Sequence, residues 1–235
     1  MSGDVDLLQE RIGHRFRDPA LLERALTHSS WLQDHPGAPG NNQRLEFLGD
    51  SVLHLVLTEA MFSLYPGDRE GELTKRRSML EKGEFLALLA KETGLDACLR
   101  LGASEEAGGG RGRDSALEDA FEALLGAVYL DGGAGAARRV ALGIYGDLGG
   151  RLASLETKAN PKGRLQEIVQ PVHGNDALRY EVISTEGADH QRHYEVCVHL
   201  LDQRIGTGRG PSKKVAEEEA ARAALSRLDL GQAPR

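Results

Sequence analysis

Cysteine is scarce: Cys98 and Cys197 are the only two in 235 residues. Neither belongs to a CxxC pair, which argues against a disulfide framework and against structural zinc. Long apolar runs are missing too. No uninterrupted stretch approaches the roughly 20 residues that span a bilayer, so no membrane partner is expected. The 29 glycines and 8 prolines follow no collagen period, and the 40% hydrophobic content excludes a wholly disordered chain. The opening MSGDVDLLQE is acidic and polar where a secretory leader is basic and then apolar, so the expectation is a soluble protein of the reduced cytoplasm.

What is present is unevenly divided. Residues 1–156 hold 17 Lys and Arg against 25 Asp and Glu, whereas residues 157–235 hold 12 against 11. An acidic first part can gather carboxylates around cations, and a second part with clustered Lys and Arg can hold an anionic polymer. Two domains are expected.

Up to about residue 156 apolar positions recur every three or four residues, the helical period, and no convincing strand is found. Asp18 before Pro19 is a cap-then-proline helix start. A long helix is predicted from about Gln43 to Tyr65, then one or two more across GELTKRRSMLEKGEFLALLAKETG, with Gly94 as the stop. GASEEAGGGRGRDS reads as an irregular loop. ALEDAFEALLGAVYLD resumes the helix, DGGAG interrupts it, and a final helix leads into GGRLASLETKAN, read as a sparse linker. After Asn160 the period changes. A short helix, PKGRLQEIVQ, precedes two alternating strands, RYEVIST and HYEVCVHLL, with Tyr194, Val196, Val198 and Leu200 on one face. A third strand is expected over Gln203–Thr207, then a flexible GTGRGP and a closing helix with a small-residue stripe of Ala216, Ala220, Ala223 and Ala224.

Four carboxylates stand out. Glu46 and Asp50 are four apart, on a helix line that continues into the apolar Leu53 and Leu57. Asp119 and Glu122 repeat the design, and Gly126 continues their face inside a strongly apolar helix. A glycine there costs about 1 kcal/mol against alanine, which implies close approach by a backbone or ligand. Like charges beginning otherwise buried stripes need a cation or a proton. Four oxygen donors without His or Cys suit Mg²⁺ or Mn²⁺, and hence phosphoryl chemistry; solvated helix-start acids are the alternative. In the second part Ser212 is a good N-cap, yet Lys213 and Lys214 crowd the positive helix end, where a phosphate backbone would compensate them, with Arg209 nearby. The alternative is an ordinary solvated helix start.

RLEFLGDSVL with EDAFEALLGAVYLDGG resembles the signature of the ribonuclease III endonuclease domain. PKGRLQEIVQ, then GADH, then GTGRGPSKKVAEEEAA is similar to the double-stranded-RNA-binding domain. The resemblance implies an all-α endonuclease domain over 1–148, a linker over 149–159 and an α-β-β-β-α domain over 160–230. It implies a homodimer using Mg²⁺ (or Mn²⁺), with no small-molecule cofactor, at Glu46, Asp50, Asp119 and Glu122. Phe47 would pack into the partner subunit, although an ordinary core phenylalanine fits the spacing equally. Glu70 matches a further acid near the cleavage centre, and Lys75, Arg76 and Arg77 either meet phosphates or form a solvated basic face. Gln166, Glu167 and His190 would face the RNA minor groove, while Lys213 and Lys214 meet phosphates across the intervening major groove.

Two positions depart from the pattern. Gln43 stands where the family commonly has a glutamate supporting the cleavage centre together with the acid matched to Glu70. Ala188 in GADH replaces a usual proline. The expected function is cleavage of both strands of duplex RNA to 5′-phosphate and 3′-hydroxyl ends with short 3′ overhangs, in processing ribosomal precursors and structured messages. A pure RNA-binding protein with a degenerate nuclease domain, and a phosphohydrolase of small nucleotides, are the rival readings.

Overall fold

The computed structural model describes residues 2–187 and 192–229. The chain divides into two units, Met1–Leu148 and Gly149–Arg235. The first unit is helical, and among its described residues β-type pairing is confined to an isolated bridge between Thr27 and Arg100. Helices α1 (Ser2–Ile12), α2 (Pro19–Ala25) and the single turn α3 (Trp31–Asp34) lead to α4 (Gln43–Leu64). Asp18 caps α2 as expected, its Oδ1 accepting from the Ala20 N–H at 3.0 Å ahead of Pro19. Then come α5 (Glu70–Leu80) and α6 (Gly83–Thr93), ended by Gly94 in the left-handed conformation. The turn α7 (Leu95–Cys98) follows.

The segment read as an irregular loop contains a short helix, α8 (Ala103–Ala107), and a 3₁₀ turn at Gly110–Gly112. Glycine content masked it, because the Arg111 and Arg113 guanidiniums pair with Glu106 and Glu105 and hold the segment folded. The interruption at DGGAG is a kink: α9 (Asp114–Tyr145) continues across Gly133, whose φ of 76° opens the bend. Helix α9 packs against α1, α2, α4, α6 and α7 and is the core of the unit. Leu117, Phe121, Leu124, Leu125 and Val128 are fully buried along it, and Tyr145 at its end donates its hydroxyl to the Leu80 carbonyl at 2.8 Å. Among the described residues, helix α4 alone has the length and hydropathy of a membrane span, but Leu53, Val56, Leu57 and Met61 bury one face of it.

In the second unit the stretch read as a sparse linker lies in α10 (Leu148–Ala159). Asn160 caps α11 (Pro161–His173), its Oδ1 accepting from the Gly163 N–H at 3.0 Å. Strands β1 (Leu178–Glu186), β2 (His193–Leu200) and β3 (Gln203–Gly210) form an antiparallel sheet in chain order, and α12 (Lys213–Asp229) closes the unit. Tyr194, Val196, Val198 and Leu200 do share a face, packed with Leu165, Val169 and the alanines of α12.

Two readings need correction here. The stripe is Ala216, Ala220, Ala221 and Ala224, with Ala223 only half-buried, because the sheet spans a wider arc of the helix than one line of residues. GTGRG is strand, not loop. A Cβ on Gly206 would lie 2.3 Å from the Ala220 carbonyl oxygen, and one on Gly208 2.2 Å from the Ala220 nitrogen. These glycines admit the helix to the sheet, a close approach that alternation alone does not reveal.

Candidate active site and nucleic-acid interface

The acidic quartet is assembled by one helix crossing. A Cβ on Gly49 would sit 1.7 Å from the Glu122 carbonyl oxygen, and one on Gly126 2.2 Å from the Leu45 carbonyl oxygen. Backbone therefore meets backbone where α4 and α9 cross, as expected of Gly126. Gly49 is the reciprocal half that sequence reading missed. This contact sets Glu46 and Asp50 on α4 facing Asp119 and Glu122 on α9.

The electrostatics follow from that proximity. Glu122 is pushed up to about 8, by burial first and then by Asp50, Glu118, Glu46 and Asp119. Burial, then Asp119, Glu118 and Asp50, raise Glu46. Burial also raises Asp119, with His28 pulling the other way. The structure thus brings the four acids together and adds two neighbours, Glu118 and His28. Glu118 was legible as the residue four before Glu122; His28, 91 positions before Asp119, was not. Among the described residues, no three of these carboxylates bring oxygens within 4.8 Å of one another.

The other predicted residues of this unit stand apart. Gln43 opens α4, exposed, its Oε1 accepting from Asn41 Nδ2 at 3.1 Å. Glu70 opens α5, exposed, near the Thr74 hydroxyl at 3.5 Å. Arg76 is held by Asp68 at 2.7 Å and lies over the Tyr65 ring, and Arg77 reaches Thr58 at 2.9 Å and Glu81 at 3.5 Å. Only Lys75 of that run keeps the character of a solvated basic residue. Phe47 is 79% exposed, so it is no core residue. It borders a cavity of about 640 Å³ with Gln43, Arg44, Leu48 and Leu130.

One further residue was missed. Asp131 is buried, its carboxylate accepting from the Arg17 and Asp18 N–H groups at 3.0 Å and meeting the His14 ring at 2.9 Å. Burial works to raise its pKa, yet the Asp18 and Arg17 amides and His14 outweigh it and hold the carboxyl below its ordinary value. It pins the α1–α2 connection to α9.

In the second unit Gln166 donates to the Asn175 carbonyl at 3.1 Å, and Glu167 pairs with Arg164 at 3.3 Å. Ser212 caps α12, its hydroxyl accepting from the Val215 N–H at 3.3 Å, and Lys213 and Lys214 are exposed at the helix start. Lys213 has Glu217 at 3.9 Å, but Glu217 is shared with Lys162 at 2.6 Å. Arg209 is engaged by Glu195 at 3.0 Å. His190 and Ala188 lie outside the described residues.

Comparison with known proteins agrees with this geometry. Residues 18–147 match the family model described as Ribonuclease-III-like, and residues 161–228 the double-stranded RNA binding motif. The chain is 45% identical to Ribonuclease 3 of Ectopseudomonas mendocina (strain ymp) over 98% of both chains, and 42% identical to Ribonuclease 3 of Bdellovibrio bacteriovorus over 93% of both. The nuclease domain of ribonuclease III from Campylobacter jejuni superposes with a TM-score of 0.56 at 37% identity, covering 60% of this chain and 94% of that one. With both domains matched in this order over nearly its whole length, the chain belongs to the ribonuclease III family: an endoribonuclease whose helical nuclease domain precedes a double-stranded-RNA-binding domain.

Proposed function

We propose that this protein is a Mg²⁺-dependent nuclease of duplex RNA, with Mn²⁺ able to substitute. It cuts both strands to leave 5′-phosphate and 3′-hydroxyl ends with short 3′ overhangs. The observation that carries the reading is the α4–α9 crossing, which crowds Glu46, Asp50, Asp119 and Glu122 until Glu122 is pushed up to about 8. Such crowding needs positive charge, and an all-oxygen donor set favours a hard divalent cation. These four residues would hold it, and when bound it supplies an activated water and charge neutralisation at the scissile phosphate. Glu118 adds to the negative field, while Gln43 and Glu70 support the cleavage centre from its margin.

The chain's own residues do the rest. The exposed Lys213 and Lys214, at the N-terminal end of α12 where helix dipole and free N–H groups favour anions, grip phosphates; by the family resemblance Gln166, Glu167 and His190 would meet the minor groove, and Arg209 would add a further contact to the RNA. We take residues 1–148 as the nuclease domain, 149–159 as the connecting segment and 160–230 as the binding domain. The 79% exposed Phe47 would enter a second copy of the chain, making a homodimer in which each subunit cuts one strand. The C. jejuni nuclease domain is itself described with a region involved in dimer formation. Processing of ribosomal precursors and structured messages in the cytoplasm is the assignment that fits such an activity.

The test is a cleavage assay on long duplex RNA with Mg²⁺ and with EDTA, against single-stranded RNA and duplex DNA. Short duplex products with Mg²⁺ alone are expected. Binding without cleavage in either Mg²⁺ or Mn²⁺ would favour the RNA-binding scaffold, with Gln43 the first residue to restore to Glu.

A further inference from the structure

Three metal-ligating side chains of different chemistry meet on the second unit's sheet. Glu181 of β1 pairs directly with Cys197 of β2, and His199 follows two residues along β2, so all three project from one face. That face is opposite the one on which Val196, Val198 and Leu200 meet α12. One ligand atom from each side chain lies within 4.8 Å of the other two, and among the described residues no other three His, Cys, Asp or Glu side chains meet this closely. The Cys197 sulfur is 3.7 Å from His199 Nδ1 and 3.9 Å from Nε2.

We propose that Glu181, Cys197 and His199 form a site for a borderline-soft divalent cation, Zn²⁺ by its chemistry, with water completing the tetrahedron. Bond lengths of about 2.3 Å to sulfur and about 2.0–2.1 Å to nitrogen place those two atoms about 3.6 Å apart around tetrahedral zinc. The observed 3.7 Å is already the length of that edge. Nε2 lies nearly as close to the sulfur, at 3.9 Å, so the sulfur faces the ring and the imidazole has to turn about its side-chain bonds to aim one nitrogen's lone pair at the ion, with no movement of β2. The Glu181 carboxylate has to close in as well. It sits on an exposed side chain whose partner, Arg179 at 3.7 Å, is likewise exposed. Thiolate, imidazole and carboxylate together select zinc over magnesium, and one thiolate with one carboxylate balances its charge. Binding would release the Cys197 thiol proton to solvent and tie β1 to β2. The scarcity of cysteine argues against a zinc module built on CxxC spacing; here strand pairing, not spacing, assembles the donors.

The test uses the full chain and Co²⁺ as a spectroscopic substitute. Cobalt in an all-oxygen carboxylate site gives no sulfur-to-metal charge-transfer absorption, so this site is read separately from the acidic quartet. One equivalent of thiolate-bound cobalt is expected, displaced by Zn²⁺, retained in Cys98→Ser and absent in Cys197→Ser. Losing even an outer-shell partner costs about 10–100-fold in metal affinity. His199→Ala and Glu181→Ala should therefore each weaken cobalt at least tenfold, with far-ultraviolet circular dichroism confirming that they fold. They decide the matter if Cys197→Ser does not fold. No charge-transfer band at any cobalt concentration, or a band equally strong in His199→Ala and Glu181→Ala, would overturn the site and leave only a thiol–imidazole contact.

Discussion

Glu122 and Asp131 are both carboxylates on α9 with limited access to water, and their surroundings send them in opposite directions. Burial and then like charges push Glu122 up, whereas at Asp131 two backbone amides and a histidine outweigh burial and hold the carboxyl down. Glu122→Gln keeps the size but removes the charge that would hold a cation. Cleavage should fall by about 10³-fold or more, as expected when several kcal/mol of charge stabilisation is lost, while gel-shift affinity for duplex RNA stays within twofold. Asp131→Ala should destabilise the first unit by about 3 kcal/mol, since buried donors lose their partner. Its folded carboxyl lies below the unfolded value, so its contribution is present above the ordinary aspartate range and is lost as pH falls through the folded pKa. The gap between wild type and Asp131→Ala in urea denaturation should therefore be full at pH 7 and narrow in acid. The quartet was legible because acids interrupt apolar stripes. Asp131 was not, since its partners lie 113 to 117 positions away.

At the scale of the element, helix periodicity and capping signals located α4, α6 and α11 closely and the start of α2, because caps and apolar lines are local properties; the helix read over residues 19–32 instead ends at Ala25, where Thr27 turns to bridge Arg100. Glycine was the misleading signal. In α8 and the C-terminal end of β3 it suggested loops, yet ion pairs hold the first and α12 lies on the second. At the α4–α9 crossing glycine is the structural requirement. Gly49→Ala would set a Cβ 1.7 Å from a backbone oxygen and force the helices apart. A loss of about 1–3 kcal/mol is expected from such overpacking, measured by thermal melting. Cleavage should drop even at temperatures where the variant is fully folded, because both acidic pairs ride on that contact.

For the whole molecule, the uneven charge of the two parts corresponds to two tasks: an acidic crossing in the first unit and exposed lysines at a helix start in the second. Replacing Lys213 and Lys214 together by Ala should weaken duplex-RNA binding similarly for all sequences. The slope of log affinity against log salt should shrink by about one per lysine. Filter binding over a salt series measures this, and cleavage at saturating RNA should remain. A variant whose sequence preference shifted instead would assign those lysines to base reading.

The sequence by itself determined the helical period of the first part, the alternation of the second, the division of charge and the four acids, since each depends on neighbours within a turn or a strand. The tertiary structure alone decided which backbone atoms touch at Gly49 and Gly208, which residues Asp131 holds, and that Glu181, Cys197 and His199 share a face. Those contacts join positions from 12 to 117 residues apart, and only burial of apolar surface, acting on the chain as a whole, brings them together.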